Sequence, residues 1–249
     1  MKMKTTILTT GLMVGSALLL SNCKKDSGGS SDGDSSGADK GSAAAAGVEL
    51  VEVTPEWPEA EFQGTPVPLK DTPPNFEKPG KPRKTIMLPE GAVNVALGKA
   101  VTASNDPFIG DLELVTDGDA AGGDGFYIEM DPGKQWIQVD LEKEETIHGL
   151  ILWHYHKDAR IYTDVVIVGS NDPEFKDGNV IIYNADHDDS LGLGYGKGSD
   201  NSYVETNHGR IIEKPEGVKA RYVRLYSNGS SAGGMNNYVE LSIYAVPEA

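Results

Sequence analysis

Two stretches of this chain carry residue types that could do chemistry. The first is Trp153-His154-Tyr155-His156, followed by Arg160 and Tyr162. Aromatic rings offer flat apolar faces, and imidazole, guanidinium, amide and phenol groups offer donors and acceptors with few rotors to freeze. Such a set suits sugar C–H faces and paired hydroxyls, and Asn236, Asn237 and Tyr238 could complete it. The second is Asp117-Gly118-Asp119, with Asp124 shortly after. Two carboxylates around a glycine that permits a sharp turn give the bent, oxygen-rich loop that Ca²⁺ favours. Each stretch also has a plainer reading. Trp153 and Tyr155 could be core, both histidines could be satisfied locally, and the acidic turn could pair with a lysine.

Other candidate chemistry is thinner. His154 and His156 have the spacing of two metal ligands on one strand face, but no Cys or third His follows at a ligand interval. Residues 184–190, NADHDDS, could bind a second cation or simply form a solvated loop. The Gly-rich run after it lacks a Gly-Lys-Ser/Thr ending and a following helix, so it is no phosphate loop. No nucleophile elbow, Cys nucleophile or spaced Ser-His-Asp set is present, so the expectation is a protein that is not an enzyme.

The elements that must position these residues are short strands. From Val93 onward, runs such as QWIQVDL (135–141), TIHGLILWHYH (146–156), DVVIVGS (164–170), NVIIYN (179–184), RYVRLYS (221–227) and YVELSIYAV (238–246) alternate with Gly, Asp and Asn clusters. No window sustains an apolar 3.6-residue period, and no internal repeat is visible. Regular short strands with turn signals between them predict an all-β sandwich or barrel. In the last strand, alternation places Val239, Leu241, Ile243 and Ala245 on one face. Tyr238, Glu240, Ser242 and Tyr244 take the other, so Glu240 stands where it needs a partner.

In order along the chain, NVALGKAVTAS (94–104), LVTDGD (114–119), QWIQVDL, VVIVGSND (165–172), ARYVRLY (220–226) and YVELSIY (238–244) resemble the discoidin domain. This is the coagulation factor V/VIII C-type module, related to the family 32 carbohydrate-binding modules. The resemblance spans about residues 92–247. It implies a galactose-binding-like jelly-roll β-sandwich. It also implies a structural Ca²⁺ held by Asp117, Asp119 and Glu240, with backbone carbonyls near Leu114 and Val239. Finally, it implies a sugar site in loops at one end of the sandwich, with Arg160 in the place of the family's loop arginine and His154, His156, Tyr162, Asn236, Asn237 and Tyr238 around it. The glycan ligand is therefore an expectation of the resemblance; a protein-docking role is the alternative.

Upstream, Lys2 and Lys4 precede an apolar run from Thr5 to Leu20 and then Leu20-Ser21-Asn22-Cys23, which holds the only cysteine. A positive head, a short apolar core and a cleavage site describe a secretory leader. The sole Cys after a Leu-Ser-x step resembles the lipobox of bacterial lipoproteins, with Asn22 at a position that usually holds a smaller residue. The expected organisation is a lipoprotein signal over 1–22, lipidation at Cys23 and a Gly/Ser/Asp tether over 23–48. A Pro-rich strap over 49–91 and a sandwich over 92–249 follow. A plain signal peptide with an incidental thiol is the alternative. Lys24 and Lys25 after the Cys resemble the outer-membrane sorting pattern, which puts the protein in the bacterial cell envelope.

Proline at the density seen in 49–91 excludes helix interiors and central strands, yet Trp57, Phe76, Ile86 and Leu88 are apolar anchors. An extended strap packed on the domain, rather than a disordered spacer, is the expectation. The formal charge is −16. So acidic a chain repels nucleic acid and anionic headgroups but can collect divalent cations. With one Cys, no intrachain disulfide is possible.

Overall fold

The structure, a computed structural model, describes residues 4–5, 49–61, 68–78, 80–81 and 83–247. Cys23, most of the leader and tether, and strap residues 62–67 lie outside the described residues.

Among the described residues fourteen strands appear in chain order: β1 (Lys4–Thr5), β2 (Leu50–Thr54), β3 (Ile86–Pro89), β4 (Val93–Asn94), β5 (Val101–Ala103), β6 (Ile128–Met130), β7 (Gln135–Trp153), β8 (Ile161–Tyr162), β9 (Val166–Ser170), β10 (Val180–Asn184), β11 (Tyr203–Val204), β12 (Arg210–Ser227), β13 (Asn236–Tyr238) and β14 (Glu240–Ala245). The only helical piece among the described residues is a 3₁₀ turn over Leu112–Thr116. The fold of the described residues is all-β, a β-sandwich.

Two long antiparallel strands organise it. The first half of β7 pairs with β5 and with residues 222–227 of β12, which in turn pairs with β9 and then β10. The second half of β7 pairs with residues 210–220 of β12 and with β14, which reaches β4. Thus β7 and β12 run through both layers, and they can do so because each bends. Glu142 adopts a φ of 70° in β7. In β12 the register slips between Glu213 and Val218, across Pro215 and Gly217. A proline has no N–H to give to a ladder, so it survives within a long strand only in such a bulge.

The main core lies between the layers and includes Ile137, Val139, Leu150, Leu152, Ile167, Val223, Leu225, Leu241 and Ile243. A second core forms on the outer face of β7 and β14. There Ile151, Trp153, Val239 and Tyr244 are covered by Val53, Ile86, Leu88 and the half-buried Trp57. The hairpin of β2 and β3 supplies that cover, and Gly149 makes room for it. A Cβ at Gly149 would stand 2.8 Å from Ile86 Cδ1 and 2.9 Å from Leu88 Cδ2. Further along, Asn75 donates to the carbonyls of Ala185 and Asp200, and Asn207 donates to that of Pro58.

The expected face pattern of the last strand needs one correction. Leu241 and Ile243 face the main core, but Val239 does not join them; it packs on the outer core with Trp153 and Tyr244, while Tyr238, expected on the opposite face, lies in the main core. The strand is interrupted between Tyr238 and Glu240, which breaks the alternation at that point.

Candidate functional site

At one end of the sandwich, β13 pairs with β6, placing Asn237 opposite Glu129, and Ile109 bridges to Glu129 from the other side. Opposed residues on antiparallel strands share a face. Ile128 and Met130 are fully buried, so Tyr127 and Glu129 face outward by alternation. The loop after β7 brings in Tyr155, Asp158 and Arg160.

These side chains form a line of planar groups. Arg160 donates through Nη1 to Asn237 Oδ1 at 2.7 Å, and Asn237 donates through Nδ2 to Glu129 Oε2 at 2.9 Å. The Nε and Nη2 of Arg160 donate to the Asp158 carboxylate. The guanidinium lies 4.4 Å from the centroid of Tyr155, whose ring meets Tyr127 edge-on at 4.7 Å. Arg160, Asp158, Tyr127, Tyr155 and Glu129 are half-buried, whereas Phe126 and Phe108 beside them are exposed. Burial raises the phenol of Tyr127, and Glu129 raises it further; burial and then Tyr127 raise that of Tyr155. Both hydroxyls therefore stay protonated and can donate.

The sequence-derived ligand set divides. Arg160 and Asn237 meet, with Asn237 buried beneath the guanidinium as its support. Tyr162, Tyr238 and His154 do not reach the surface. His154 is fully buried, stacks on Tyr162 at 4.0 Å, tilts against Tyr238, and bonds through Nδ1 to the Asn237 carbonyl. Burial lowers its pKa to about 4, so the ring is neutral. Asn236 is also fully buried, and its amide is consumed by Ser227, Gly229, Asp131 and Gly133. His156 is buried with Nε2 bonded to the Ala120 carbonyl. These five residues support the site rather than line it, because the segments that cover them come from distant parts of the chain. Trp153 is core. Tyr127, Glu129, Asp158 and Phe126 were missed, although the alternation of FYIEM (126–130) carries the signal for Tyr127 and Glu129.

The acidic turn lies elsewhere. Asp119 N donates to Asp117 Oδ1 and Ala121 N to Asp119 Oδ1, each at 2.8 Å, and Gly118 N donates to Glu240 Oε2 at 3.2 Å. Glu240 is 1% exposed, and its Oε1 is buried without a partner. Burial, with Asp117 and Asp119 adding to it, pushes its carboxyl up to about 9. Leu114 lies in the 3₁₀ turn just before this loop, and Val239 sits directly before Glu240. The orphaned buried carboxyl oxygen of Glu240, with Asp117 and Asp119 nearby, offers oxygens of the kind that Ca²⁺ uses.

In the 184–190 loop, Asp186 is buried and accepts from Ser190 N, Ser190 Oγ and Leu191 N. Asp164, Asp186 and Asp188 approach within 4.8 Å of one another. Asp186 there closes its own loop.

Comparison with known proteins places the chain in context. A family model, the F5/8 type C domain, matches residues 100–241. Among solved structures, a family 32 carbohydrate-binding module from C. perfringens NanJ in complex with galactose aligns at 13% identity and a TM-score of 0.43, covering 62% of this chain and 98% of its own. The family 32 module of AlyQ in complex with 4,5-unsaturated mannuronic acid aligns at 21% identity and a TM-score of 0.42, covering 58% and 92%. A fucose-binding module of Streptococcus pneumoniae aligns at 17% identity and a TM-score of 0.43, covering 61% and 98%. No curated protein matches the sequence.

Proposed function

This chain belongs to the F5/8 type C domain family, and on that premise we propose that it is a non-catalytic carbohydrate-binding lipoprotein of the bacterial cell envelope. It takes a glycan at the sandwich end around Arg160. The fold alone does not assign a ligand; the line Asp158–Arg160–Asn237–Glu129 carries the reading. Each of these planar groups is fixed by its neighbour before any ligand arrives, so little side-chain entropy is lost on contact. Paired hydroxyls of one ring can bridge the guanidinium and an adjacent carboxylate, while Tyr127, Tyr155 and Phe126 offer apolar edges to C–H faces. Asp124, Glu129 and Asp158 outnumber the single arginine, which suits neutral hydroxyl donors over acidic sugars.

Asp117, Asp119 and Glu240 would hold a structural Ca²⁺, with carbonyls near Leu114 and Val239 as further ligands. The ion would supply the positive charge that three facing carboxyl groups need to ionise together.

The test is a glycan-array screen of the purified protein with Ca²⁺ and with a chelator. Specific binding that Arg160→Ala weakens by tenfold or more, the loss of about 1.5 kcal/mol from charged hydrogen bonds, is the expected result. Silence across the array, from protein that melts cooperatively, would favour a second reading: an envelope protein partner docking on the sheet edge. Strand β10 forms such an edge and exposes Val180 and Ile181.

A further inference from the structure

The Pro-rich strap closes a second cleft of opposite charge. A cavity of about 390 Å³ separates strap residues Glu77, Lys78, Lys81 and Arg83 from Tyr203 and Arg210 of the domain. That volume falls in the range of sites that enclose small ligands. Four cations line it against one carboxylate, in a chain whose formal charge is −16. Glu77 is already engaged by Arg210 Nη1, and Arg83 pairs with Glu213. Among the described residues, neither Lys78 nor Lys81 has an ion-pair partner.

Arg210 anchors the floor of the cleft. Its guanidinium sits 5.1 Å and 5.3 Å from the ring centroids of Tyr203 and Tyr183, which fixes its plane. Its Nε is buried with no acceptor, and so is the Tyr203 hydroxyl. Orphaned buried donors are uncommon and call for a missing partner, and the guanidinium fork is matched by a carboxylate. The end site offers the reverse field, with Asp124, Glu129 and Asp158 around one arginine. An acidic sugar is therefore disfavoured there and favoured under the strap.

We propose that the strap cleft is a second glycan subsite that takes a carboxylate-bearing sugar, a uronic acid of an acidic polysaccharide, between Lys78, Lys81 and Arg210. This inference rests on the reading of the chain as a carbohydrate-binding protein.

Isothermal titration of the full chain tests it, using trimers of galacturonic and glucuronic acid, their methyl esters, a neutral galactose trimer and inorganic phosphate. A uronate trimer should bind, about tenfold more tightly than its ester, and more weakly as salt is raised. Lys78→Ala/Lys81→Ala should weaken it about tenfold at an unchanged melting temperature, while Arg160→Ala leaves it unaltered. Uronate binding that Arg160→Ala removes and the lysine variant keeps would overturn the cleft and leave the glycan reading intact. Neutral sugar binding without uronate binding would do the same. Displacement by phosphate at equal affinity would reduce the cleft to a general anion site. Binding of no saccharide at all would remove both readings together.

Discussion

His154 and Glu205 meet in the core with opposite proton preferences. Glu205 Oε2 accepts from the backbone N–H of His154 at 3.0 Å and Oε1 from that of Thr206 at 2.9 Å. Burial pushes the Glu205 carboxyl up to about 8 against an ordinary 4.5, and lowers His154 to about 4 against 6.5. Between 4.5 and 8 the folded state holds the Glu205 proton that the unfolded state has lost, so this contribution falls as pH rises. Between 4 and 6.5 the unfolded state binds the His154 proton that the folded state refuses, so that contribution falls as pH drops. The two slopes oppose each other in the overlap, and above pH 6.5 the Glu205 loss continues beside the like-signed one of Glu240, whose carboxyl is raised to about 9. Urea unfolding of wild type and Glu205→Gln isolates it. The stability gap should shrink as pH is raised, by up to about 1.4 kcal/mol per unit. A gap independent of pH would mean that Glu205 is ionised in the fold. At this scale the sequence was partly legible. The Arg160–Asn237 pairing could be anticipated, but His154, Tyr162, Asn236 and Tyr238 look in sequence like any surface polar set. Only the segments packed over them, β11 on β8 and β6 on β13, make them interior.

Elements decide how the strap and the acidic turn contribute. Ile86 and Leu88 are fully buried on Ile151 and Trp153, and Trp57 meets Trp153 at a centroid distance of 6.1 Å. Leu88→Ala should therefore cost about 2–5 kcal/mol, as in a true core, read by denaturant unfolding as a lower midpoint with a single transition. A loss below about 1 kcal/mol would mark the strap as a peripheral attachment. The acidic turn ties the segment after the 3₁₀ helix to the first residue of β14, two elements that share no backbone ladder. Ca²⁺ bound only by the folded state should stabilise by about 2.7 kcal/mol at a hundredfold excess over its Kd. In a thermal melt this appears as a rise with Ca²⁺, reversed by chelator and absent in Glu240→Gln; identical melts in both media would remove the ion. Strand positions were legible because the apolar/polar period is local. The strap's seat and the shift of Val239 to the outer core were not. Gly149 reads as a mere gap until Ile86 is placed against it, and β14's break at Val239 is set by pairing with Trp153.

At the scale of the molecule, two local groups of opposite sign stand apart among the described residues: the acids around Arg160 and the cations of the strap cleft. In the proposed reading both are presented to a ligand from an anchor at Cys23. A chain held at Cys23 would sit beside headgroups that its acidic charge repels. One acyl chain holds a protein only marginally, and several hold it firmly. The proposed anchor therefore predicts a sharp contrast. Wild-type chain made in a bacterium should incorporate labelled palmitate and enter the detergent phase on partition, while Cys23→Ser should do neither and stay aqueous. Unlabelled wild-type protein in the aqueous phase would leave Cys23 an incidental thiol. The glycan would then meet a freely diffusing protein, and avidity from many copies on one surface, which offsets weak single-site binding, would be lost.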